Sequence, residues 1–301
     1  MMRKTFASKI LLFGEYTIIK NSDALAIPFD LFDGELVFSP DENKTIDIEL
    51  QAFSRYLKDI DFENLGISFD LDSFKFDVSQ GLKFKSSIPH GYGVGSSGAL
   101  CAAIFARYAS APHKVLSNIR SMKKVFSTME HHFHGESSGI DPLISYFSSP
   151  VFISQETGPE LINIPSPQNN KTEIFLLNTA RARRTEPLVN LFVEKCKSEI
   201  FMNMLEGELI PANDKCIKSF LNGDLDEVEE HFYEISRLQF YYFKEMIPQL
   251  LRKTWEDGLQ SKNYSLKLCG AGGGGFLLGI TKNLDHARRE LEGFDIRPIR
   301  F

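Results

Sequence analysis

One tryptophan and four cysteines are all that 301 residues contain of those two types. The cysteines, Cys101, Cys196, Cys216 and Cys269, are scattered and show no CxxC spacing. That pattern favours free thiols in a reducing cytosol over disulfides. No apolar run reaches the ~18 residues that a membrane-crossing helix requires, so no membrane partner is expected. The apolar stretch Ile10–Phe13 is too short for a secretory core and runs directly into Gly14-Glu15, which makes the expected location cytoplasmic. Excess positive charge is also missing. Lys and Arg total 34 against 40 Asp and Glu, a net charge of −6, which argues against bulk electrostatic binding of nucleic acid. The 26 phenylalanines beside the single tryptophan read as a Phe-packed core, not a stacking platform for bases. There is no internal repeat and no low-complexity tract.

The composition that remains, 43% hydrophobic and 25% charged, is that of an ordinary globular chain. A chain of this length buries roughly 75% of its unfolded surface and needs no disulfide or metal staple. It fits two domains of ordinary size. The first third predicts strands at Lys9–Phe13, Tyr16–Ile19, Glu35–Phe38, Thr45–Leu50 and Leu82–Ile88, with Pro40–Asn43 as a turn. Ala99–Ala109 is apolar nearly all round and predicts a buried helix. A second helix is expected at Val115–His132. Pro165–Asn170 is the candidate linker. Beyond it come a strand at Glu173–Leu177, helices near Glu186–Glu206, Asn213–Leu221 and Leu225–Leu251, and strands at Ser265–Leu268 and Phe276–Ile280. Strands and helices mix in both halves, so the class is α+β with two lobes.

Two glycine-rich segments stand out. Pro89-His-Gly-Tyr-Gly-Val-Gly-Ser-Ser-Gly98 lies directly before the predicted buried helix. Such a turn lets backbone N–H groups converge, and the helix adds its positive dipole end, which together suit a phosphate. Ser96 and Ser97 place two hydroxyls at the helix start, where they can cap it or meet a metal-bound phosphate. The GxGxxG reading as a dinucleotide fingerprint also requires an acidic residue about 20 positions on, and Ala99–Met129 contains neither Asp nor Glu. A Walker loop requires Gly-Lys-Ser/Thr at the helix start, where Gly-Ser-Ser-Gly stands instead. A plain helix-capping turn stays open. The second segment, Gly270-Ala-Gly-Gly-Gly-Gly275, has five glycines in six residues. Each costs roughly 0.5–1 kcal/mol of folding entropy relative to Ala, so close backbone approach to another group is expected. A tight interdomain turn is the alternative.

Between the loops lies Glu130-His-His-Phe-His-Gly-Glu-Ser-Ser-Gly-Ile-Asp141. A carboxylate beside a phosphate site can hold Mg²⁺, and a second can accept a hydroxyl proton; either can instead be a cap or a solvated charge. His131, His132 and His134 do not show the HExxH spacing of a zinc site. Lys9, opening an apolar strand, can stabilise developing negative charge or simply be solvated. Arg181, Arg183, Arg184 and Thr185 form a basic cluster suited to a carboxylate or phosphate, or simply a solvated cluster at a helix start.

Three segments in this order, Lys9–Tyr16, Pro89–Gly98 and Lys267–Gly275, resemble the GHMP small-molecule kinases. Within that family the chain looks most like its mevalonate-phosphorylating branch, on Phe13-Gly-Glu15, on Ser138-Gly-Ile-Asp141 following Glu130, and on Asn178–Thr185. The resemblance implies a two-lobed GHMP kinase fold. Residues 1–165 would form an N-terminal ATP-binding lobe like domain 2 of ribosomal protein S5, and residues 166–301 a ferredoxin-like C-terminal lobe. It implies ATP and Mg²⁺ as cofactors and transfer of the γ-phosphate to the primary hydroxyl of mevalonate; phosphomevalonate, a sugar or homoserine are the alternative acceptors, and a non-catalytic nucleotide-binding relative is the remaining alternative. ATP would be held by Pro89, Gly91, Gly93, Gly95, Ser96 and Ser97 with Gly272 and Gly273. Ser97 and Glu130 would hold Mg²⁺. Asp141 would take the hydroxyl proton beside Lys9. Glu15, Tyr16, Arg183 and Thr185 would lie on the substrate side. The mevalonate-phosphorylating branch usually has His after Gly-Glu, near the substrate, where this chain has Tyr16, and His90 and Tyr92 are also unusual in their loop. The expected partner is a small-molecule alcohol, with a homodimer left open.

Overall fold

The computed structural model describes residues 4–39, 45–165, 171–183 and 186–301. The first half runs β1 (Phe6–Phe13), β2 (Ala24–Phe38), α1 (Ile48–Lys58), β3 (Ser68–Phe69), α2 (Leu71–Ser79), β4 (Leu82–Ser86), α3 (Ser96–Tyr108), β5 (Ala109–Ser110), α4 (His113–Leu116), α5 (Ile119–His134), α6 (Ile140–Phe147), β6 (Val151–Ser154) and β7 (Gly158–Leu161). The second runs β8 (Glu173–Asn178), α7 (Glu186–Lys195), α8 (Glu199–Met204), α9 (Ile210–Leu221), α10 (Leu225–Tyr242), α11 (Gln249–Ser261), β9 (Ser265–Leu268), β10 (Phe276–Thr281), α12 (Leu284–Glu290) and β11 (Ile296–Pro298).

Each half has its own antiparallel sheet. The first has the order β1-β2-β6-β7, and the far end of the long β2 also pairs with β4. The second has the order β11-β8-β10-β9. With helices after its first and third strands, that is the ferredoxin-like arrangement. Helix α3 buries nine of its thirteen residues, as an apolar-all-round helix must. One apolar cluster joins β1 and α3 to the second sheet and its helices, and another fills the space between α1, α2, α3, α5 and α6. Trp255 is fully buried in the C-terminal half, and its indole N–H donates to Ser236 Oγ at 2.9 Å.

Several expected elements are placed differently. Tyr16–Ile19 is not a strand: Thr17–Lys20 is a short 3₁₀ turn between Tyr16 (φ 64°, ψ −39°) and the left-handed Asn21 (φ 60°). Thr45–Leu50 is not a strand either, because the Asp47 carboxylate caps the N–H groups of Glu49 and Leu50 and starts α1. Asn118 caps α5 and splits the expected Val115–His132 helix. Ser198 caps α8 and breaks the expected Glu186–Glu206 helix. The expected Leu225–Leu251 helix stops at Tyr242, and α11 restarts after Pro248, which cannot donate a helical hydrogen bond. The hairpin β6–β7 and helix α2 were not expected. The turn Pro40–Asn43 and most of the Pro165–Asn170 linker lie outside the described residues.

Candidate active site

The first glycine-rich loop is sewn to β1, where the Lys9 N–H donates to the Val94 carbonyl at 2.9 Å. Gly95 then starts α3 with φ +80° and no side-chain cap, a conformation open to glycine at little cost. A β-carbon there would stand 2.9 Å from Lys9 Cγ and 3.5 Å from Asp141 Oδ2. The start of α3, with its unpaired N–H groups and positive dipole end, therefore lies against both side chains. Those two are an ion pair, Lys9 Nζ to Asp141 Oδ1 at 3.0 Å, with side chains 13% and 30% exposed.

Asp141 is in the first turn of α6, directly after the turn that ends at Gly139. That helix start is wedged between two others. A β-carbon on Gly98 of α3 would meet the Asp141 carbonyl carbon and Pro142 N at 2.7 Å, and one on Gly139 would meet Lys123 O and Ser127 N of α5 at 2.4 and 2.5 Å. Two glycines thus allow three helices to converge and fix where the carboxylate points.

Beside this pair, Glu130 near the end of α5 is 3% exposed. Ser97 Oγ donates to its Oε1 at 3.1 Å and lies 2.8 Å from His134 Nε2, while the Ser137 hydroxyl donates to Oε2. Burial, and secondly the negative charge of Asp141, push the Glu130 carboxyl up to about 7; the two serine hydroxyls and Lys9 pull it back only in part. The site thus holds a partly charged carboxylate short of cations. Among the described residues no three His, Cys, Asp or Glu side chains are arranged to hold a metal ion on their own.

The second glycine-rich loop joins β9 to β10 and meets the first. A β-carbon on Gly275 would collide with the Tyr92 carbonyl at 2.5 Å. Thr179, just after β8, donates to the Gly275 carbonyl from its N–H at 2.9 Å and its hydroxyl at 2.8 Å. Arg183 spans the junction. Its N–H donates to Gly91 O at 2.9 Å, and its guanidinium Nη1 donates to Gly272 O at 2.9 Å. The same guanidinium covers Gly93 and Gly270, where any β-carbon would strike Nη2. Its Nε is buried with no hydrogen-bond partner among the described residues, and burial lowers its pKa. A guanidinium in this state is a seat for an anion.

Glu15 and Tyr16 serve the second loop. Glu15 is buried against Lys267, which is 0% exposed and donates to the Glu15 carboxylate and to the carbonyls of Leu12 and Leu268, both at 2.9 Å. Burial raises the Glu15 pKa, opposed by Lys267. The Tyr16 hydroxyl donates to Ala271 O at 2.6 Å.

The structure therefore gathers Lys9, Gly95, Ser96, Ser97, Glu130 and Asp141 around the start of α3. It sets Gly91, Gly93, Arg183 and Gly272 at the adjoining loop junction, with Pro89 leading into it, while the Gly273 N–H donates to the Met246 carbonyl at 2.6 Å and the residue faces Leu188. Thr185 lies outside the described residues. Ser137, His134 and Lys267 carry part of the geometry without having been assigned a role in the sequence. His134 stood there only in the zinc reading, and Lys267 only as the first residue of the third segment, a lysine inside the otherwise apolar strand Ser265-Leu-Lys-Leu268.

A two-lobed α+β fold with glycine-rich loops meeting at a helix start beside a lysine–aspartate pair defines a small-molecule phosphotransferase. The GHMP kinases N terminal domain matches residues 55–149, and the GHMP kinases C terminal domain matches residues 216–297. The chain belongs to the GHMP kinase family, whose members transfer phosphate from ATP to the hydroxyl of a small molecule. It is 22% identical to a mevalonate kinase of Dictyostelium discoideum over 91% of this chain and 86% of the relative. The fold superposes on the Methanococcus jannaschii mevalonate kinase with a TM-score of 0.66 at 20% identity, covering 100% of this chain and 98% of the other. On Lactococcus lactis galactokinase complexed with galactose the TM-score is 0.69 at 14% identity, covering 99% and 92%.

Proposed function

We propose that this kinase phosphorylates the primary hydroxyl of mevalonate, with residues 1–165 and 166–301 as its two lobes. The observation that carries the reading is the Lys9–Asp141 ion pair of 3.0 Å at the uncapped start of α3. Phosphoryl transfer demands positioning and charge stabilisation more than covalent chemistry. The N–H groups at the start of α3 and the two glycine-rich loops seat the triphosphate. Asp141 accepts the proton of the attacking hydroxyl, and Lys9 holds that carboxylate in place while offsetting charge on the transferring phosphoryl group. Arg183 receives the acidic end of the acceptor.

Ser97 and Glu130 fit Mg²⁺. They are hard oxygen donors, Glu130 is buried without a full cationic partner, and magnesium keeps most of its ligands as water and phosphate, so two protein oxygens suffice. The ion, when bound, neutralises phosphate charge. The fold superposes about as well on a galactokinase, TM-score 0.69, as on a mevalonate kinase, 0.66, which favours a second reading in which the acceptor is a different alcohol. A panel of mevalonate, phosphomevalonate, sugars and homoserine with an ADP-release readout decides between them. Mevalonate is expected to give the highest kcat/KM; a higher value for another alcohol overturns the acceptor assignment and leaves the kinase class intact.

A further inference from the structure

We infer that Tyr16 is a positioning residue that holds the second glycine-rich loop in register with β1 and so sets affinity for the nucleotide, without contacting the acceptor. The inference rests on the reading above that this loop helps seat ATP.

Tyr16 is 5% exposed. Its φ is positive, 64°, with ψ −39°, a conformation that a bulky residue keeps only where its surroundings over-determine it. The surroundings do so. Its ring stacks on Phe192 with centroids 4.8 Å apart and tilts against Phe243 at 5.6 Å. With the ring fixed, the hydroxyl has one direction to point, and it reaches the Ala271 carbonyl at 2.6 Å. Burial raises the phenol pKa further above its ordinary value, so the group stays a donor at every working pH.

Ala271 begins a run of three consecutive anchored residues. The Gly272 carbonyl accepts from Arg183 at 2.9 Å, and the Gly273 N–H donates to the Met246 carbonyl at 2.6 Å. The Ala271 anchor, Tyr16, lies three residues past the end of β1, the strand that also carries Lys9. A loop with five glycines in six residues is entropically costly to order. Ordering it before the ligand arrives removes that cost from binding. The tyrosine at this position is therefore accounted for by the loop it grips, which lies across the lobe boundary.

The test is Tyr16→Phe, which keeps the stacked ring and removes only the hydroxyl. Three quantities are read: the Kd for Mg²⁺-ATP by calorimetric titration, the KM of each substrate, and the melting temperature. Loss of one hydrogen bond of ordinary strength should weaken the Kd and KM for ATP about 3- to 10-fold. The KM for mevalonate should stay within about twofold, and the melting temperature should hardly move. A raised acceptor KM with unchanged ATP affinity places Tyr16 on the acceptor and overturns the inference. A lowered melting temperature with unchanged ATP affinity makes the residue merely structural and also overturns it. Failure of the unsubstituted protein to bind Mg²⁺-ATP overturns the nucleotide reading itself, an outcome distinguishable from both.

Discussion

Gly98 lies so close to Asp141 that a single added methyl would stand 2.7 Å from the aspartate's carbonyl carbon. The atoms in the way are backbone, so no side-chain rotation relieves the clash. Gly98→Ala should push the start of α6 off α3. We expect a loss of about 1–3 kcal/mol in stability, typical of overpacking. Turnover should fall by a larger factor than instability explains, because the Asp141 carboxylate moves with the helix. Denaturant unfolding and steady-state kinetics on the same preparation check both.

Asp141→Asn removes the proposed proton acceptor and half of the ion pair while keeping the shape of the side chain. A positioned base contributes about 10²–10⁴-fold, and kcat should drop by that order. Titration with ATP should show nearly unchanged nucleotide affinity. Turnover close to the original value rejects the assigned role.

Arg183→Ala should raise the KM for the acceptor more than that for ATP, because the acceptor loses its only assigned cation. ATP binding should weaken as well, since the guanidinium also secures Gly272. Arg183→Lys should fail to restore activity: a lysine supplies a point charge but not the planar fork. Substrate-saturation curves for both variants test this, and an exclusive ATP defect would move Arg183 to the nucleotide side.

Glu130 sets a pH dependence whose sign is fixed. Its carboxyl is raised from 4.5 to about 7 in the fold. Between those values the folded protein keeps a proton that the unfolded chain has released. Stability from this group is therefore greatest below pH ~4.5, falls as pH rises through the window, and levels off above ~7. Glu130→Gln should flatten that slope, gaining roughly 2–3 kcal/mol on the unsubstituted protein between pH 5 and 8. Urea unfolding of both proteins at several pH values, without nucleotide, measures it. A slope that is identical in the two proteins contradicts the buried-carboxylate explanation.

The parts of the site legible in the sequence are those whose chemistry is local. Gly95 at the head of an Ala-rich helix, and Asp141 just past a glycine turn, announce themselves by their neighbours. Long-range pairings do not. Nothing near Glu15 names Lys267 as its partner 252 positions away, and nothing near Ser97 announces that Ser137 and His134 share its carboxylate cluster. The misplaced elements have the same origin. Thr45–Leu50 has the β-branched content of a strand, yet the Asp47 side chain captures two N–H groups and starts a helix. Tyr16–Ile19 is equally strand-like by composition, but the hydroxyl bond to Ala271 and the packing on Phe192 bend it into a turn.

The single tryptophan, sealed in the C-terminal half with its indole bonded to Ser236, gives the chain a built-in optical probe. With no second indole in the sequence, the emission spectrum reports on one neighbourhood alone. A red shift on denaturation will mark the opening of the α10–α11 region. Comparing its midpoint with that of far-ultraviolet circular dichroism will reveal whether the two lobes melt as one unit or in sequence, without any label being attached.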